Sequence, residues 1–192
     1  MKKPHSRRAF LRLSCASAAI LTLPDCSVIH GKNTTTLILN VAKIRAYAQA
    51  GLNAAATILS LPLVASTIGA GVAATITLSS EGVVSALNAF EAEVGDQVTI
   101  VYDSGDLKSK VDALLSALEK LSHGLTKALG SMSPSLDEKT RATVATALNA
   151  LSTIVAIFQA LLSGAIAVGG APRRRTRPMT ESEALATLGV TL

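Results

Sequence analysis

The chain has 192 residues, with 18 Lys plus Arg against 13 Asp plus Glu, a net charge of +5; 49% of its residues are hydrophobic, 16% charged and 3% aromatic, and Trp is absent. The length suits one domain, and the composition excludes a disordered polyelectrolyte, which needs low hydrophobicity and high charge. Two Cys are too few for a disulfide scaffold, and the shortage of aromatic rings argues against a nucleic-acid surface built on stacking and basic side chains.

The charge is unevenly placed. Residues 1–26 hold five basic residues and one acid, residues 27–170 nine and ten, and residues 171–192 four and two. The body is therefore close to neutral, and the sequence pI of about 9.5 belongs to the two ends. No nucleic-acid partner is expected from it.

The N-terminus has a basic start followed by a short apolar stretch, Leu13 to Leu23. This is the layout of an export signal and is too short for an ordinary spanning helix. Within it lies Ser6-Arg7-Arg8-Ala9-Phe10-Leu11-Arg12, which resembles the twin-arginine signal S-R-R-x-F-L-K of bacteria, with Arg12 in place of the final Lys. The resemblance covers about 26 residues and names Ser6, Arg7, Arg8, Phe10 and Leu11 as the export signal. It implies a twin-arginine translocase as partner during export and a periplasmic or outer-leaflet destination. Passengers of that route often carry a cofactor or travel with a cofactor-bearing subunit; no cofactor is expected for this chain itself. Leu23-Pro24-Asp25-Cys26 stands where a lipoprotein box would stand, making Cys26 a candidate for lipidation, although Asp25 departs from the small neutral residue such boxes carry. Beyond Cys26 there is no cysteine, so the body has no thiol nucleophile and no thiolate metal site.

The body, residues 27–168, reads as an all-α domain: an up-down antiparallel bundle of about four helices. The first is expected over 35–60, with Leu37, Val41, Ile44, Ala48, Leu52, Ala55 and Leu59 at spacings of three and four; its β-branched start at Thr34-Thr35-Thr36 leaves a short strand open. The second is expected over 64–94, with a fault near 78–82, one stripe through Val64, Ile68, Val72, Thr75 and Leu78, and another through Val83, Leu87, Phe90 and Val94; Gly95 ends it. Residues 97–102, Gln-Val-Thr-Ile-Val-Tyr, form a short extended connector with no assigned partner strand. A third helix over 106–129 carries Leu107, Val111, Leu114, Leu118, Leu121, Leu125 and Ala128. A fourth begins at Ser135 in a Ser135…Glu138 capping box and runs through Val144, Leu148, Leu151, Val155, Phe158 and Leu162. Residues 169–192 read as a flexible Arg-rich tail, with a second capping box at Thr180…Glu183 announcing a short helix near 181–188.

Residues 46–80 and 142–172 contain no charge, and each run exceeds the ~20 residues that span a bilayer. Arg173, Arg174, Arg175 and Arg177 follow the second run, as a cytoplasmic flank or a contact for anionic lipid or phosphate would. Against spanning, both runs are diluted by Asn, Ser, Thr and Gln, keep an apolar stripe and lack an aromatic belt. The sequence offers little chemistry. His123 lies on the polar side of its helix, and no His-x-x-x-His or Glu-x-x-His pair occurs. Asp96, Asp103 and Asp106 suit caps and turns, and Glu91 and Glu93 point to different sides of a helix. No nucleophile elbow, phosphate loop or dinucleotide fingerprint is present. The reading is therefore a non-catalytic, exported helical protein acting by binding or structural association at the cell envelope, through a protein partner or itself. The rival readings are a membrane-inserting or pore-forming protein and a small subunit co-exported with a cofactor-bearing enzyme.

Overall fold

The computed structural model of the chain describes residues 27–30, 35–102, 105–130, 136–163 and 179–192. The export signal at 1–26, Cys26 and Arg173 to Arg177 lie outside them. The described chain is mostly helical: strands β1 (Ser27–His30) and β2 (Thr35–Asn40), helices α1 (Val41–Leu59), α2 (Pro62–Thr67) and α3 (Ala70–Val94), strand β3 (Thr99–Val101), and helices α4 (Gly105–Gly130), α5 (Glu138–Leu162) and α6 (Glu181–Thr187).

The β-branched start of the first expected helix is strand β2. It pairs antiparallel with β1 on one side and with β3 on the other. Leu37 and Leu39 alternate into the core, the period of two that a helix cannot provide. The extended connector thus has its partner: Leu39 stands opposite Ile100, and the Tyr102 N–H donates to the Leu37 carbonyl at 2.9 Å. Strand turns into helix without a loop. Asn40 caps α1 by accepting from the Lys43 N–H at 3.3 Å, and the Val41 N–H is satisfied by the Val98 carbonyl at 3.0 Å.

The second expected helix is two helices. Ile68 and Gly69 are extended, separating α2 from α3. The break resets the helical phase, and this corrects the first stripe. Val64 and Ile68 are buried, but Leu78 is 67% exposed and the α3 core line is Ile76, Val83, Phe90 and Val94. A stripe through 64–78 needs one continuous helix, which the extended Ile68 and Gly69 interrupt. Gly95 ends α3 at φ +53°, a backbone conformation open to glycine, with its N–H on the Glu91 carbonyl.

Helix α4 follows its stripe: Val111, Leu114, Leu118, Leu121 and Leu125 are fully buried. Helix α5 starts at Glu138 rather than at Ser135, which lies outside the described residues. Asp137 is its cap, accepting from the Thr140 N–H at 2.6 Å, while Leu136 is buried just before it. The packing of α1 on α3, α4 and α5 centres the core. Gly51 marks the closest approach, since a Cβ there would lie 2.4 Å from Leu118 Cδ2 and 3.8 Å from Leu151 Cδ1.

Of the expected tail at 169–192, residues 179–192 are described, and they are not free. Thr180 and Glu183 form the expected capping box, and α6 packs on α5 and α1 with Ala184, Leu185 and Leu188 buried. The apolar spacing of these three residues supplies the docking that the Arg-rich segment before them conceals.

Candidate interaction surface

Helices α3 and α5 are both long and apolar enough to cross a membrane, yet they are used differently: 44% of the most apolar window of α5 is buried, against 11% for α3. Helix α5 turns its apolar stripe inward. Helix α3 gives the core one narrow line and leaves an apolar surface outside. Gly71, Thr75, Leu78, Gly82, Ser85, Ala89 and Ala92 follow one another at alternating steps of four and three, and all are exposed. That spacing is the heptad seam along which helices pair. Four of the hydroxyls on this helix, those of Thr75, Thr77, Ser79 and Ser80, are turned back on it. Thr75 Oγ1 donates to the Gly71 carbonyl at 2.9 Å, Ser79 Oγ to that of Thr75 at 2.9 Å, and Ser80 Oγ to that of Ile76 at 3.0 Å. The surface is thus less polar than its composition.

Against this seam α4 sets a second wall. Thr75, Leu78, Gly82, Ser85, Ala86 and Ala89 face Lys110, Ala113, Ala117 and Lys120 across a groove of about 640 Å³. Beyond Thr75 a smaller hollow of about 300 Å³ lies among Val72, Ile76, Gly124, Lys127 and Ala128. Lys110 and Lys120 are ten residues apart, about 15 Å along the helix. Of the acids of α4, Asp112 is engaged with Lys108 and Tyr102, and Glu119 accepts from Gln159 of α5 at 2.6 Å, while Asp106 in the first turn is exposed and shares a separate hollow with Glu93 of α3. Along the groove from Lys110 to Lys120, the side of α4 that faces α3 is basic.

Two polar clusters remain. Tyr102 donates to Asp112 Oδ1, and Lys108 Nζ reaches Asp112 Oδ2 at 2.9 Å while standing 4.9 Å from the Tyr102 ring centre. Burial, then the hydrogen bond to Asp112, pushes the Tyr102 phenol up; the same carboxylate, then Tyr102, raises the Lys108 ammonium. A phenol so raised is a poor nucleophile, and the trio acts as a clasp between β3 and α4. The other cluster joins Lys43 Nζ to Glu181 Oε1 at 3.0 Å, with Tyr47 Oη donating to the same oxygen at 2.8 Å. Asn53 Nδ2 donates to the Leu188 carbonyl at 2.8 Å. These contacts hold α6 on α1, and no local sequence pattern marks them because the partners are over 130 residues apart.

No protein-family model, curated protein or solved structure matches this chain. The site must therefore be read from its own residues.

Among the described residues no group of three or more His, Cys, Asp or Glu gathers as a metal site. His123 is exposed on α4. Glu91 and Glu93 diverge as expected, Glu91 pairing with Arg45 at 3.2 Å while Glu93 is exposed. Of the three clustered aspartates, Asp96 and Asp106 are exposed and Asp103 lies outside the described residues. Apolar spacing alone does not show the α3 seam, because Val72, Thr75 and Leu78 read as core positions, whereas all three are exposed. The signal that could have found it is the heptad spacing of uncharged residues from Gly71 to Ala92, small at every position but Leu78.

Proposed function

We propose that this chain is an exported, non-catalytic helical protein that acts by helix-mediated association at the bacterial cell envelope, its four long helices α1, α3, α4 and α5 arranged as an up-down bundle. One observation carries the proposal: the uncharged seam of α3 stands open beside a basic groove. Large exposed apolar surfaces mark association sites, and small residues at heptad spacing let a partner backbone come close. The Ser6-Arg7-Arg8-Ala9-Phe10-Leu11 sequence supports export through the twin-arginine translocase, and Cys26 and Arg173 to Arg177 supply candidate contacts with the membrane.

Replacing Arg7 and Arg8 by Lys is expected to abolish export; undiminished accumulation in the periplasm would overturn that part. Alkaline carbonate is expected to release the protein from membranes unless Cys26 is lipidated. A Cys26→Ser protein that stays in the carbonate pellet would instead favour the second reading, a membrane-inserting protein, for which the length and apolar composition of α3 and α5 speak.

A further inference from the structure

We infer that the partner of the α3–α4 groove is α3 of a second copy of this chain, the two copies seating their α3 helices reciprocally. The inference rests on the association reading above and names its partner.

The groove states what it requires. On α3 its wall is small residues apart from Leu78, on α4 it is Ala113 and Ala117 between Lys110 and Lys120, and Gly82 has nothing within 4 Å of where a Cβ would stand. Such walls accept another helix with a seam of small side chains. Lys110, Lys120 and Lys127 line the groove and the hollow beyond Thr75, and no acid does, so charge complementarity favours an acidic incoming helix. The chain's own basic segments, residues 1–26 and 171–178, are excluded by like charge.

Helix α3 meets both requirements. It carries Glu81, Glu91 and Glu93 and no Lys or Arg. Glu91 is held by Arg45 of α1, whereas Glu81 and Glu93 are exposed. Glu81 stands beside the seam, between Leu78 and Gly82. When two α3 seams face each other, the flank away from one copy's own α4 can face the partner's α4. This brings Glu81 of each copy to the basic wall of the other, on which Lys120 lies. Leu78, 67% exposed in one copy, then closes the seam against the other. Anionic lipid would also answer the lysines, but a lipid surface gains little from alanine, glycine and serine where bulky or aromatic side chains would enter it.

Sedimentation equilibrium of the full chain tests this. The expected mass is twice the 19.7 kDa of one chain. Ser85→Arg, at an exposed position, is expected to give the single-chain mass with an unchanged helical circular dichroism spectrum. Glu81→Lys is expected to raise the dimer dissociation constant about fivefold or more, and Glu81→Lys combined with Lys120→Glu to restore it. A wild-type chain that stays at single-chain mass, or a dimer indifferent to Ser85→Arg, overturns the inference. A photo-cross-linking residue at position 85, used in the producing cells, separates the two levels of the argument. A cross-link between two copies supports both. A cross-link to a different protein alone overturns the second-copy inference and leaves the association reading standing. The absence of any cross-link overturns both.

Discussion

Replacing Gly51 by Ala inserts one methyl group where α1 meets α4 and α5. The new Cβ would lie 2.4 Å from Leu118 Cδ2 and 3.8 Å from Leu121 Cδ2 and Leu151 Cδ1. Leu118, Leu121 and Leu151 are all fully buried, so the Leu118 side chain must shift within the core to admit the methyl group. Overpacking of this kind costs about 1–3 kcal/mol. The gain in helix propensity from Gly to Ala returns about 1 kcal/mol. The net change is a destabilisation of roughly 0–2 kcal/mol. Gly124→Ala is the matched control, in the interior of α4, where the added Cβ meets only Ser79 Oγ at an ordinary 3.9 Å. It keeps the propensity gain and should stabilise by roughly 0.5–1 kcal/mol. One substitution thus carries opposite signs at two helical glycines. Urea unfolding followed by circular dichroism measures both, at protein concentrations low enough to hold any self-association constant. In thermal unfolding, each kcal/mol corresponds to about 2–4 °C for a chain of this size. If Gly51→Ala proved as stabilising as Gly124→Ala, the close approach of α1 to Leu118 would be refuted, and with it the packing that centres the core.

Three further outcomes are expected. Thr180→Ala removes the hydroxyl that accepts from the Glu183 N–H and should cost about 1 kcal/mol; limited proteolysis should cut residues 179–192 faster, and unchanged protection would contradict the docking of α6. Asp137 is held below the usual carboxylate range by its hydrogen bonds from Thr140, side chain first and then backbone. Its contribution is therefore complete above the unfolded value and is lost as pH falls through the folded one, so the stability gap to Asp137→Ala should shrink on acidification and stay flat above that range. In a Tyr47→Phe chain Tyr102 is the only tyrosine, and its phenol, raised by burial and by Asp112, should ionise above 10.0 in an absorbance titration. The stability tied to its neutral form persists below 10.0 and is lost as pH rises through the folded value; Asp112→Ala should move the midpoint down.

Sequence legibility followed how each helix uses its apolar residues. Helix α4 buries one stripe and shows charge elsewhere, so Val111 to Leu125 were legible from spacing alone. In α1 the spacing found Val41, Ile44, Ala48 and Ala55, but not Tyr47, Ala54 and Ile58, which are equally buried; a central helix touched from several sides has no single stripe. Helix α3 misled for the opposite reason. It is apolar nearly all round but buries one narrow line, and periodicity marks apolar faces without saying which of them meets the core. The β2–β3 pairing escaped because its register is set by residues about 60 positions apart, whereas the Thr180…Glu183 box was legible because capping is local. The docking of α6 through Lys43, Tyr47 and Asn53 is long-range again, and no local pattern encodes it.

The central claim is that the outer face of α3 is covered in the cell envelope. Cysteine labelling tests it directly: Leu78→Cys on that face and Ala156→Cys on the exposed side of α5, each treated with a polar maleimide in whole envelopes and in dilute purified protein. Peptide mass spectrometry separates the new cysteine from Cys15 and Cys26. The account predicts that Cys at position 78 reacts freely in dilute protein and is protected in envelopes, while Cys at position 156 reacts in both. Equal labelling of position 78 in the two states would contradict it.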